Sequence, residues 1–313
     1  MGRIMDYKEF QTNLKEQLMD LLPEGHQVAI QKVMKNNDLQ FDSMVILSKH
    51  VNISPNFYLQ QYYKRYLGGE TTEEMISEML VLYERTKDTM EQYTLDLSFD
   101  ACRERIIYRL ISGEKNHKRL ENVPSIPFLD MEITFHVLML EEEDGVGSVM
   151  IHDDLLEEWH IDTKRLFQLA QENTMRLFPI QIRSMEQLLQ ELLPQTGPMP
   201  EASEVLYTSE EQEGSVDPLV VTNEKGINGA AVILYPGCLA ALSEQCKGGY
   251  YILPSSIHEL LILPDRHNLP ERELEKMVQE VNENCVQPDE ILSEHVYHYS
   301  TQLGTMEIVQ GME

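Results

Sequence analysis

The sequence predicts an α+β fold: mixed, largely antiparallel sheets built from hairpins, with interspersed helices and a helical N-terminal part. Three observations predict it. In the first, Ile133, Phe135, Val137 and Met139 alternate with Thr134, His136 and Leu138, the period-2 pattern of a buried strand. Secondly, turn residues separate short apolar runs, as in Glu141-Glu142-Glu143-Asp144-Gly145-Val146-Gly147 ahead of the returning run Ser148–Ile151. Thirdly, segments with apolar residues at helical spacing lie between these hairpins rather than in strict βαβ alternation.

Taken in order, Phe10, Leu14, Leu18 and Leu21 or Leu22 give an amphipathic helix over residues 6–22, which Pro23 and Gly25 end. Gln27–Val33 and Leu39–Leu47 read as two strands around the turn Asn36-Asn37-Asp38, since Asn and Asp tolerate left-handed backbone. Ser54-Pro55 is expected to open a helix crowded with Phe57, Tyr58, Tyr62, Tyr63 and Tyr66 and stopped by Gly68-Gly69. These tyrosines are either a stacking platform or, as base rates favour, a packed face with wet phenol tips. Thr71 and Glu74 form a capping-box pattern, and Ile76, Met79, Leu80 and Tyr83 face inward behind it. Arg103–Ser112 is read as a strand for its β-branched content.

The central stretch continues with a helix capped by Asp162 or Thr163, bearing Leu166, Leu169, Ala170 and Leu177 on one face. Ile180–Leu193 is expected to add more helix. Pro194–Pro200 and the acidic run to Asp217 then break regular structure. Beyond it, Leu219–Thr222 and Gly229–Tyr235 suggest a hairpin around Asn223–Gly226. A short helix follows from Pro236, a second hairpin from Tyr250–Leu253 and His258–Leu263, a helix over Pro270–Asn284, and a last hairpin around Gly304. The expected organisation is a helical region with one hairpin at 1–95, a central α+β unit at 96–195, an acidic linker or long loop at 196–217, and a C-terminal α+β unit at 218–313 packed on the central one. Met150–Asn173 and Ile262–Asn284 echo each other as strand, Asp, loop and helix.

Charge is unevenly spread. Of 53 acids and 25 bases, residues 1–120 hold 18 and 16, whereas residues 121–313 hold 35 and 9. Such a field repels phosphate backbones and anionic membrane surfaces, so direct nucleic-acid binding is not expected, and a basic protein partner is. The one basic patch, Arg103, Arg105, Arg109, Lys115, Lys118 and Arg119, either binds an anion or faces the acidic centre of the same molecule. No apolar run reaches the roughly 18 residues of a membrane span, and Met1–Leu22 lacks a signal-peptide core, so a cytoplasmic location is expected. Cys102, Cys238, Cys246 and Cys285 have neither zinc nor disulfide-framework spacing; no metal and no cofactor is expected.

No phosphate loop, HExxH, GxSxG or dinucleotide fingerprint is present. Ser255, His258 and Glu259 are too close in sequence to make a triad. His295 and His298, on a strand, point to opposite faces. The candidate surface is Glu141, Glu142, Glu143, Asp144, His152, Asp153 and His258, with His152 and Asp153 at a strand-to-helix turn and no catalytic residue assigned. Three readings stand: a non-enzymatic binding or regulatory protein with an acidic surface; an acidic mimic occupying another protein's nucleic-acid site; and a hydrolase or metal-dependent enzyme with a site near His152, Asp153, His258 or His298.

The segments Asn173-Thr-Met-Arg-Leu-Phe-Pro179, Asn228-Gly-Ala-Ala-Val-Ile-Leu-Tyr-Pro-Gly237 and Tyr251-Ile-Leu-Pro-Ser-Ser-Ile-His-Glu259 resemble an uncharacterised family of gut Clostridia, domain-of-unknown-function family 5688, from Phe41 to Tyr299. The order of elements from Phe128 on is more distantly similar to the YtpQ-like bacillar family. The resemblance implies a bacterial cytoplasmic protein and no particular activity. Limited proteolysis is expected to cut first within Pro194–Asp217, where repeated acids and prolines leave little apolar surface to bury. First cuts confined to residues 128–193 would contradict this.

Overall fold

The computed structural model describes residues 4–48, 55–90, 96–142, 145–192, 218–254, 256–267 and 269–309. Glu143, Asp144, Ser54 and the expected linker at 196–217 lie outside the described residues. The chain divides into two compact units, Met1–Leu97 and Ser98–Glu313. Every strand pairing among the described residues is antiparallel, in an α+β arrangement with a helical start.

In the first unit, α1 (Tyr7–Leu21) starts at a reciprocal capping box between Asp6 and Glu9. Strands β1 (His26–Met34) and β2 (Gln40–Ser48) form a hairpin whose turn places Asn37 and Asp38 at φ 61° and 51°. A short strand β3 (Phe57–Tyr58) pairs with β2, and α2 (Leu59–Leu67) and α3 (Thr72–Met90) follow. The helix expected from Ser54-Pro55 therefore begins only at Leu59. Pairing of Phe57 with Met44, and burial of its ring to 1% exposure, outweigh the local start signal. Phe10, Leu14 and Leu18 of α1 meet Met44 and Ile46 of β2 and Met75, Ile76, Met79 and Tyr83 of α3 in one core. The tyrosines of α2 are tied down at their tips. Tyr62 donates to Glu78 and Tyr63 to the Met5 carbonyl, while Tyr66 accepts from the Met5 N–H.

The second unit opens with a single turn, α4 (Phe99–Cys102), and a 3₁₀ turn at Arg103–Arg105 before β4 (Ile106–Ser112). Strands β5 (Ser125–Phe128), β6 (Met131–Glu142) and β7 (Gly145–Met150) join it in a four-stranded sheet. Here β6 is central, β4 lies on one side, and β5 and β7 share the other. Helix α5 (Asp153–Trp159), read from sequence as a loop, precedes α6 (Thr163–Leu177). Where helix was expected from Ile180, the chain first makes a strand, β8 (Ile180–Ser184), and only then α7 (Met185–Leu192). Its partner is β9 (Leu219–Asn223), in full antiparallel register, so ladder hydrogen bonds override helix propensity there.

The expected hairpin Leu219–Tyr235 does not form. Gly229–Leu234 is a 3₁₀ helix, entered through left-handed Asn228, and β9 pairs instead with β8 and with β11 (Leu260–Pro264). Between them lie α8 (Cys238–Cys246) and β10 (Tyr250–Leu253). Helix α9 (Glu271–Asn284) and the hairpin β12 (Tyr297–Ser300) and β13 (Thr305–Ile308) complete a six-stranded sheet ordered β13-β12-β10-β11-β9-β8. Leu274 and Val278 of α9 pack on Leu253, Leu263 and Val296.

One carboxylate joins the two sheets. Asp130, in the β5–β6 turn beside left-handed Leu129, accepts from Ser293 Oγ at 2.7 Å and from Tyr297 Oη at 2.8 Å. Both donors are buried, Tyr297 at 1% and Ser293 at 2% exposure. Asp130→Ala leaves them without an acceptor and is expected to cost about 3 kcal/mol, read by urea unfolding. A loss below roughly 0.5 kcal/mol, the ordinary range for surface positions, would show that the bonds carry no weight.

Candidate functional site

The three segments named above meet in the second unit. Asn173 ends the buried face of α6, and its Nδ2 donates to the carbonyls of Arg103 at 2.8 Å and Ile106 at 3.0 Å. These are the carbonyls of the turn and first strand residue leading into β4, which an unassisted edge strand would leave open. Thr174 Oγ1 accepts from the Tyr108 N–H at 3.1 Å and donates to the Ala170 carbonyl, and Arg176 donates to the Glu104 carbonyl. Tyr235, from the second segment, sends its hydroxyl to the Phe178 carbonyl at 2.6 Å and to that of Thr174 at 3.2 Å. Burial raises the pKa of this phenol, so it remains a neutral donor.

The third segment meets the second through His258. Its Nδ1 accepts from the Asn228 N–H at 3.1 Å, which places the proton of the neutral ring on Nε2, 3.4 Å from Glu290 Oε1. Its carbonyl accepts from Thr222 Oγ1, and Ile257 accepts from the Ala230 N–H. His258 is thus a joint between the β9 turn and the approach to β11. A small pocket opens where these parts meet β4, lined by Arg109, Tyr108, Phe178, Asn228 and Tyr235 among others. Its enclosed space of about 10 Å³ is that of a single water.

The residues singled out from sequence that the structure describes lie on separate elements. Glu141 and Glu142 end β6, whereas Glu143 and Asp144 lie outside the described residues. His152 is exposed at the start of α5, and Asp153 opens that helix, its N–H bonded to the Asn122 carbonyl. No hydrogen bond or ion pair among the described residues joins either to His258. His298 lies 3.6 Å from Asp265 and against the Tyr251 ring. No group of three His, Cys, Asp or Glu among the described residues is placed to hold a metal ion.

The basic patch disperses in space. Lys115 pairs with Glu294, and Arg103 with Asp100 and Glu104. Arg105 donates to the carbonyls of Ala101 and Leu138, and Arg109 to Ser148. The acids met by these four among the described residues are Asp100, Glu104 and Glu294, none of them in the acidic centre that the patch was expected to face. Arg109 was visible in sequence only as one charge among six. Its place inside a β-branched strand run was the signal that it differs from the rest.

Gly229 is the tightest point of this junction. A Cβ there would collide with Thr222 Oγ1 and the His258 carbonyl. Gly229→Ala is expected to destabilise the second unit by about 3 kcal/mol in urea unfolding. An unchanged midpoint would mean that the β9 turn yields without cost.

Two comparisons with known proteins came back empty, and one did not: a family described as of unknown function, DUF5688, matches residues 7–301. No curated protein and no solved structure matches the chain.

Proposed function

The chain belongs to the family of unknown function DUF5688, and we propose that it is a non-enzymatic binding or regulatory protein of the bacterial cytoplasm whose acidic surface meets a basic protein partner. One observation carries this reading. Among the described residues of 121–313 no Asp or Glu is classed as buried, so the acids described there keep contact with solvent. Exposed acids run along α5 at Asp153, Asp154, Glu157 and Glu158, and along α9 at Glu271, Glu273, Glu280 and Glu283. Charges so placed cost little in solvent, and together they attract positive surfaces out to about a Debye length. No helix among the described residues is long and apolar enough to cross a membrane.

The reading is tested by binding as a function of salt. The protein is expected to have no measurable affinity for duplex DNA at physiological ionic strength. Its protein partner, recovered from a native lysate, is expected to bind through a basic face and more weakly as salt rises. Replacing Glu141, Glu142 and Glu143 by Gln and Asp144 by Asn is expected to slow association more than it speeds dissociation. Tight, salt-insensitive DNA binding would refute the reading. Unaltered partner kinetics in the neutralised variant would remove the turn from the contact.

A further inference from the structure

Helix α9 keeps Leu274, Val278 and Asn282 buried, at positions i, i+4 and i+8 of one face. A helix advances about 100° per residue, so Glu273, Met277, Glu280, Val281 and Asn284 fall together on the neighbouring face. All five are exposed, Met277 at 41% and Val281 at 37%. Met277 and Val281 lie one turn apart on the side nearer the buried residues, and Glu273, Glu280 and Asn284 border them on the solvent side. The face is thus an apolar ridge with an acidic rim. An i, i+4 ridge of this kind is what a second helix takes into the groove between its own ridges. The acids of α5 have no such ridge beside them, since no large apolar residue of that helix is exposed.

Charge along α9 fixes the sign of the second helix. Both bases of α9, Arg272 and Lys276, lie in its N-terminal half, and its last turn holds no base. Glu280 and Glu283 stand instead toward the C-terminal end, where the helix dipole disfavours negative charge. Cations brought alongside would offset that cost. A second copy of this chain brings the opposite, because α9 against α9 sets the Glu273 and Glu280 rims against each other. An anionic membrane is disfavoured on the same ground. We infer that the Met277–Val281 face of α9 is the docking site for a basic amphipathic helix of a protein partner. Its apolar side chains lie on Met277 and Val281, and its Lys or Arg side chains over Glu273 and Glu280. Docking at α9 rests on the acidic-surface reading above and narrows it to one helix and one shape of partner.

The test uses the full chain and a fluorescent peptide of about 18 residues, long enough to hold a helix, with leucine at i, i+3, i+4 and i+7 and lysine elsewhere. Anisotropy titration is expected to show saturable binding that weakens as sodium chloride rises. A peptide of the same composition with its leucines scattered round the helix is expected to bind about tenfold more weakly. Met277→Ser combined with Val281→Ser is expected to cost about tenfold in affinity for the first peptide, the share of two half-exposed apolar side chains. Glu273→Gln combined with Glu280→Gln is expected to cost about threefold at low salt and to flatten the salt dependence. Glu283→Gln, on the face away from the ridge, is expected to cost less than either pair. Full affinity in the Met277→Ser and Val281→Ser variant, with salt-dependent binding kept, would overturn the α9 site and leave the acidic-surface reading standing. No binding of either peptide at low salt would overturn both. Equal affinity for the scattered peptide would show attraction by charge alone and overturn the helical partner. Self-association of the wild type in sedimentation velocity, or binding to phosphatidylcholine vesicles, would overturn it too if the Met277→Ser and Val281→Ser variant lost it, and would assign the ridge to a second copy or to lipid.

Discussion

The second unit depends on how α6 holds β4. β4 is an edge strand, and the turn that leads into it has carbonyls with no sheet partner. Asn173 and Arg176 on the last turns of α6 capture three of them, and Thr174 takes the N–H of Tyr108 from the strand itself. At the two buried positions, Ile106 and Tyr108, an unmet backbone group would cost on the order of 1–3 kcal/mol, more than the modest net gain of a hydrogen bond in water. The helix is thereby fixed in rotation as well as in distance. Leu166 and Ala170 are pressed to zero exposure, and Tyr108 stacks on Phe167. Tyr235 then fastens the end of the same helix to the 3₁₀ segment, so one polar seam joins α6, β4 and the loop after β9.

Asp130 performs a similar service between the two sheets, by a different rule. There the acceptor is a carboxylate and the donors are two hydroxyls, at 2.7 and 2.8 Å. Such a contact adds less net energy than burying the same area of apolar side chain, but it admits only one relative placement of turn and strand. The second unit thus relies on apolar packing for energy and on a few buried polar contacts for uniqueness.

Much of this architecture was legible in the residues. The alternation in β6, the Asn37–Asp38 turn, the Asp162 cap and the Thr71–Glu74 box each act through local geometry, and each appears where its pattern places it. The failures share a cause in partners distant in sequence. Phe57 is drawn into a strand by β2, Ile180–Ser184 by β9, and Gly229–Leu234 is denied a hairpin because β9 already has two neighbours. The site was less legible still. His258 looks like a catalytic or metal-binding residue in sequence and serves as a backbone acceptor in space. Arg109 looks like one charge of a basic patch and lies half within the sheet. Charge can be counted along a chain, but whether a charge is compensated depends on what the fold brings beside it.

The pairing of β8 with β9 has a consequence for the stretch between them. Ser184 sits opposite Leu219, and the Met185 N–H donates to the Pro218 carbonyl at 2.9 Å, so the backbone leaves this sheet and rejoins it at one place. Everything from Met185 to Pro218 is topologically a single excursion from a two-strand corner, whatever path it takes. A short hairpin turn between Ser184 and Leu219 would close a smaller ring, a difference of about 2 kcal/mol in chain entropy. The same corner is a natural grafting point: a foreign domain whose termini lie close together could be spliced in there, with the six-stranded sheet left to fold around an unchanged frame.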